Sequence, residues 1–157
     1  MPDMLVKLYD LPALEPILSR QKEAGVEIRR ALSLEKHLVV KWVAQTFEAN
    51  WASECEIAFC RQPPACFVAV ANDTLIGFAC YEATYRNFFG PMGVSEVYQG
   101  QGIGKALLLA CLHTMAAQGY AYAIIGWVGP VEFYAKAVGA VEIEGSEPGI
   151  YRGMLKE

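Results

Sequence analysis

The sequence predicts a single α/β domain, of the α+β kind, and three observations carry that prediction. Short alternating or apolar runs bounded by turn residues, at 26–31, 66–71 and 74–83, have the period of strands. Segments with apolar residues at helical spacing lie between and after them, at 34–47 and 102–117. The two kinds meet at a glycine-rich turn, Gln99, Gly100, Gln101, Gly102, Ile103, Gly104, which an apolar strand enters and a long apolar helix leaves.

Composition sets the bounds. A chain of 157 residues fits one domain and can bury a real core. With 54% apolar residues it is not a disordered chain. The net charge is −4 and no basic stripe occurs, which argues against a nucleic-acid partner; mild acidity is compatible with a cationic amine. Cys55, Cys60, Cys66, Cys80 and Cys111 are odd in number, form no CxxC pair and lie mostly in apolar runs. They read as free thiols of a reducing cytoplasm. The opening MPDMLVKLYD lacks the pattern of a signal peptide, and no apolar run reaches membrane-spanning length.

Taken in order, residues 4–9 (MLVKLY) suit a short strand and 13–24 a polar helix ending at Gly25. This opening pair reads as an added edge strand and helix, or as a dimer contact. Residues 26–31 alternate as a half-buried strand does. Ser33 stands where a helix N-cap belongs, and Leu34, Leu38, Val39, Trp42 and Val43 give that helix an apolar face. Residues 50–60 suit a second helix, stopped by Pro63 and Pro64. The runs 66–71 and 74–83 flank Asn72 and Asp73, a hairpin signature. The next strand, 88–94, contains Gly90, Pro91 and Gly93, which predict a bulge or splay and free backbone groups. The helix at 102–117 is apolar almost all round, so it is the central buried helix. Residues 120–128 suit a buried strand and Pro130 opens a short helix ended by Gly139. Residues 140–144 and 149–155 read as a final strand pair.

The glycine turn carries chemistry. Glycines let backbone N–H groups approach a ligand, and the first turn of a helix has N–H groups without partners and a partial positive charge. Strand, glycine turn and helix N-terminus together form a cradle for a phosphate or pyrophosphate. The Walker pattern fails because Ala106 follows Lys105 where a hydroxyl is required, and GxGxxG fails because its third glycine would fall at Lys105. Gln-x-x-Gly-x-Gly over 99–104 fits the remaining pattern, and the run from Val94 resembles the acetyl-CoA motif of the GCN5-related N-acetyltransferases, the GNAT family. A second segment, FYAKAVGA at 133–140, is similar to that family's FY-x-K-x-G-F stretch.

The resemblance covers roughly residues 26–155 and implies the GNAT fold, a mixed, mostly antiparallel central sheet flanked by helices. Residues 1–25 would be an N-terminal extension packed on an acetyltransferase domain at 26–157. It implies acetyl-CoA as cosubstrate and no metal. The backbone of Met92, Gly93 and Val94 would pair with the pantetheine arm, and the amides of Gly100, Gln101, Gly102, Ile103 and Gly104 would hold the pyrophosphate. Lys105 would cap that turn and Gln99 stands at the motif's leading position, where many members carry Arg. Where many members place an Asn ahead of the FY helix, residues 126–130 offer none.

Tyr134 matches a tyrosine that protonates the leaving thiolate in many members; a core-filling tyrosine beside Phe133 is the other reading. The general base is less legible. Glu82, ending a strand beside the cofactor strand, is the candidate, with Glu54 and Glu56 on the helix bordering the acceptor cleft; a solvated surface charge also explains each. Trp51, Trp127 and Tyr81 suit either a pocket lining or the core. The function implied is transfer of an acetyl group to a primary amine of a small molecule or peptide by direct attack. The alternative is a non-catalytic acyl-CoA sensor on the same fold. No nucleic acid or membrane partner is expected, and a homodimer is compatible with the family.

Overall fold

The computed structural model describes all 157 residues. One sheet of seven strands organises it: β1 (Met4–Lys7), β2 (Glu27–Arg30), β3 (Cys66–Ala71), β4 (Thr74–Tyr81), β5 (Phe88–Val94), β6 (Tyr122–Ile125) and β7 (Val141–Glu142). Their spatial order is β2-β3-β4-β5-β6-β1-β7. Every pairing is antiparallel except β5 with β6. Five helices complete the fold: α1 (Glu15–Glu23), α2 (Lys36–Thr46), α3 (Ala49–Ala58), α4 (Ile103–Ala117) and α5 (Val131–Val138). No helix is long and apolar enough to cross a membrane.

The β3–β4 hairpin turns on Asn72 and Asp73, at φ 49° and 58°. These are residue types whose short polar side chains tolerate left-handed backbone. Successive side chains of β4 then point to opposite faces. Gly77 faces Leu107 of α4, while Phe78 faces Trp42, Phe47 and Trp51 of the α2–α3 side, at ring separations of 6.1, 5.8 and 6.2 Å. The sheet is therefore covered by α4, with α1 and α5, on one face and by α2 and α3 on the other. Leu107, Leu108, Leu109, Cys111 and Leu112 are fully buried, which explains the absence of a polar stripe on α4. Cys55, Cys66, Cys80 and Cys111 are buried free thiols and Cys60 is exposed.

Three expectations are corrected. The run 4–9 ends as a strand at Lys7 and turns into a 3₁₀ segment, and β1 lies inside the sheet, not at its edge. Ser33 makes no cap; the Glu35 carboxylate instead accepts the Leu32 N–H at 2.7 Å and holds Arg29 through two hydrogen bonds of 2.8 and 2.7 Å. The expected strand at 149–155 does not form. Gly149–Tyr151 is a 3₁₀ turn followed by an irregular tail. Two causes are visible: β1 already occupies the free edge of β6, and Gly149 and Gly153 take positive φ of 57° and 75°, incompatible with a strand.

Candidate active site

The glycine loop folds as a cradle because two of its residues must be glycine. Gly100 and Gly102 have φ of 79° and 81°, where a side chain would be strained. With the chain turned this way, the six N–H groups from Gly100 to Lys105 find no acceptor within the protein; the first amide of the helix to be satisfied is that of Ala106, which donates to the Gly102 carbonyl at 3.1 Å. A run of unpartnered amides at a helix N-terminus is a binding surface for an anion. The loop is braced from behind. Gln21 of α1 is buried, and its side-chain amide donates to the Gln101 carbonyl at 2.8 Å. Gln99 folds back and donates to the Val94 carbonyl at 3.2 Å. Lys105, in the first turn, makes no ion pair.

The strand that enters the loop splays from its neighbour. β5 pairs with β6 only through Phe88 and Phe89, while Met92, Gly93 and Val94 continue to pair with β4. The Ser95 N–H donates to Ile76 at 2.8 Å, which fixes the alternation of the antiparallel ladder. Gly93 therefore points its backbone groups at β4, while Met92 and Val94 point theirs into the gap between β5 and β6. The gap exposes the backbone groups of Met92 and the Val94 N–H, while the Val94 carbonyl is held by Gln99; the exposed groups are a surface an extended ligand can pair with. Gly93 serves differently from its neighbours. A Cβ there would sit 2.4 Å from the Phe47 ring, so this glycine lets the aromatic cluster of α2 and α3 close onto β5.

Beyond the gap lies a cavity of about 650 Å³. Its walls come from α3, the β4–β5 turn, the start of β5, the β6–α5 turn and the C-terminal tail. Tyr134 of α5 lines it, buried, with its ring 6.3 Å from Phe89 and its hydroxyl free of protein partners. Burial pushes its phenol up to about 12, so it is a proton donor, not a phenolate, at neutral pH. Met92 and Pro130 line the same cavity, which therefore joins the splayed strand to the α5 helix.

The carboxylates sort themselves by geometry. Glu54 lines the cavity, half-buried, and accepts the Thr84 hydroxyl. Desolvation raises its pKa; the Thr84 hydrogen bond opposes that and the nearby Glu48 charge adds to it. Glu82, the candidate base of the sequence reading, points elsewhere. One oxygen accepts the Asn87 N–H at 2.7 Å and the other faces Arg61 at 3.1 Å. It does not line the cavity. Its work is to close the β4–β5 turn, where its own φ is 59°. Glu56 is exposed and paired with Lys36 at 3.2 Å. Trp51 and Trp127 line the cavity; Tyr81 does not, and its hydroxyl accepts Arg30 at 2.7 Å in the core.

Three contributions had no sequence signal. Gln21 lies on a helix whose polar composition hides its one buried side. Asp3, at the N-terminus, is buried and accepts the Trp127 N–H at 2.9 Å, while the Pro2 carbonyl accepts the Val128 N–H at 2.8 Å. The first residues thus hold the β6–α5 turn that forms a cavity wall. The tail supplies Tyr151, whose ring stacks on Trp127 at 4.9 Å. Gly126 admits that tail, since a Cβ there would lie 2.4 Å from the Tyr151 hydroxyl.

Comparison with known proteins agrees with this architecture. The family model described as the acetyltransferase (GNAT) family matches residues 36–140, two thirds of the chain, and the chain belongs to that family. Among solved structures it is similar to the GCN5-related glucosamine N-acetyltransferase region of a fungal multi-domain GH3 beta-N-acetylglucosaminidase. That match has a TM-score of 0.73 and 16% identity over 90% of this chain and 19% of that one. It is also similar to a GCN5-related N-acetyltransferase from Sphaerobacter thermophilus, with a TM-score of 0.63 and 18% identity over 90% and 48%. A third is an aminoglycoside acetyltransferase from an uncultured soil metagenomic sample, with a TM-score of 0.52 and 18% identity over 73% and 84%. At these identities the likeness is one of fold, and the chain spans about a fifth and about half of the first two. Among curated proteins, none matches the chain.

Proposed function

We propose that the protein is an acetyl-CoA-dependent N-acetyltransferase acting on a primary amine. The observation that carries this reading is the run of six unpartnered amides from Gly100 to Lys105, continuous with the free edge at Met92 and Val94 and ending in a cavity with an acid and a base. The loop amides suit the pyrophosphate of a coenzyme A, with Lys105 beside them, and the free strand edge suits the two amides of its pantetheine arm. Acetyl-CoA, when bound, supplies an acyl group activated as a thioester.

The remaining chemistry falls to the cavity. The Val94 N–H, aimed into the gap, donates to the thioester carbonyl and stabilises charge that develops on its oxygen. Glu54 takes the proton of the incoming ammonium, directly or through a water. Its raised pKa brings it closer to the operating pH than an exposed carboxylate would be. The amine nitrogen bonds to the acyl carbon, the carbon–sulfur bond breaks, and the Tyr134 hydroxyl donates a proton to the departing sulfur. No enzyme nucleophile takes part, so positioning supplies much of the rate.

The test is release of free CoA thiol from acetyl-CoA across a set of amines, with Tyr134→Phe and Glu54→Gln alongside. Amine-dependent release that falls in both variants is expected. Tight acetyl-CoA binding with no release for any amine would instead make the protein an acyl-CoA sensor.

A further inference from the structure

The cavity walls differ in kind, and the difference selects an acceptor. α3 and the residue before it bring polar groups: Glu48, Asn50 and Ser53 at the exposed rim, and Glu54 deeper, held by Thr84. The β6–α5 turn and the tail bring apolar surface: Trp127 stacked on Tyr151, with Ile150 and Met154 beside them. Burial, Asp3 and Glu54 push the Tyr151 phenol up to about 12, so its ring stays neutral and lies within reach of the Glu54 charge.

The charge count is specific. Two carboxylates, Glu48 and Glu54, and one guanidinium, Arg152, line the cavity. Arg152 forms no ion pair. The charged side chains of the wall thus sum to one negative charge, with Glu54 the half-buried one and Glu48 and Arg152 exposed, which suits a single ammonium directed to Glu54. A polyamine or aminoglycoside would bring further positive charges against the exposed Arg152 guanidinium, a like-charge juxtaposition that disfavours them. A sugar amine would set hydroxyls against the aliphatic Ile150 and Met154 surface, which offers them no partner. An aromatic or branched body fits those faces, and aromatic rings also attract an ammonium beside them. A volume of about 650 Å³ is enough for an amine of ten or so heavy atoms together with the acetyl end of the cosubstrate.

Resting on the acetyltransferase reading above, we propose that the acceptor is a monocationic primary amine on an aromatic or branched apolar body, its ammonium directed to Glu54 and its body to the Trp127–Tyr151 pair.

The experiment measures kcat/KM by CoA release for phenethylamine, isoamylamine, L-phenylalanine, glucosamine and spermidine. Phenethylamine and isoamylamine are expected to exceed glucosamine and spermidine by about 100-fold or more, and L-phenylalanine, whose carboxylate cancels its charge, to fall between. Trp127→Ala is expected to raise KM for phenethylamine about tenfold with kcat changed little, because the wall binds the body and takes no part in proton transfer. Arg152→Gln is expected to raise kcat/KM for spermidine several-fold more than for phenethylamine, narrowing the gap between the two. Binding of phenethylamine to the acetyl-CoA-free protein, read by quenching of tryptophan fluorescence, checks the site without turnover. Preference for spermidine or glucosamine would overturn this inference and leave the acetyltransferase reading standing. Release with none of the amines, while acetyl-CoA still binds, would overturn both.

Discussion

Gly102→Val separates the cradle from the fold. Gly102 has φ 81°, and an L-residue in left-handed backbone costs about 1–2 kcal/mol, with a β-branched side chain at the upper end. The new Cβ would lie 3.1 Å from the Gln21 side-chain nitrogen, the atom that donates to Gln101. Displacing that hydrogen bond adds about 0.5–1.5 kcal/mol. The loop is exposed, so the cost falls on its ordered conformation and not on the core. A total of about 2.5–3.5 kcal/mol corresponds to a loss of about 70- to 350-fold in CoA affinity. Isothermal titration with CoA measures it, and circular dichroism shows whether the fold survives. Gly119→Ala is the control: φ is 103°, nothing lies within 4 Å, and the site is at the far end of α4. It should lower the melting temperature and leave CoA affinity unchanged. An unaltered Kd in a folded Gly102→Val protein would refute the cradle.

Three further outcomes follow from the site and its surroundings. Tyr134→Phe removes the proposed proton donor but keeps the ring, so kcat should fall about 100-fold with acetyl-CoA affinity unchanged by titration. Wild-type kcat/KM should rise with pH through the raised pKa of Glu54, because the protonated carboxyl cannot accept a proton; Glu54→Gln should lose that limb. Burial raises the folded-state pKa of Glu54, so its ionisation costs stability as pH rises through that value, and Glu54→Gln should melt higher than wild type at pH 8 but not at pH 4. Glu35 runs the other way. Its hydrogen bonds to Arg29 lower its pKa to about 2, so its contribution is fully present above the ordinary 4.5 and is lost as pH falls through about 2. Glu35→Gln should cost about 1 kcal/mol at pH 7 by denaturant titration, the difference fading at acid pH.

The elements that position the glycine loop were legible because local rules fix them. Glycine chemistry between an apolar strand and a fully apolar helix leaves few alternatives, and Gly90 and Pro91 precede the point where β5 leaves β6, while Gly93 serves the packing of Phe47. The acceptor side was not legible in the same way. Glu82 and Glu54 are both glutamates near the expected cleft, and only three-dimensional geometry shows that Arg61 and Asn87 occupy the first while the second opens on the cavity. The run 149–155 has the apolar content of a strand, but its place beside β6 is taken by residues more than a hundred positions earlier. A pairing choice of that kind is set by competition between distant segments. Asp3 and Gln21 act on the site through single hydrogen bonds, for which a sequence carries no period.

Amide hydrogen exchange with and without CoA tests the central claim most directly. Each backbone N–H proposed to hold the cosubstrate is now without a protein acceptor, so binding should slow its exchange. The account predicts protection confined to Met92, Val94 and Gly100 through Lys105, with the edges of β2 and β7 unaffected. Protection elsewhere, or tight CoA binding that leaves the 100–105 amides exchanging freely, would contradict it.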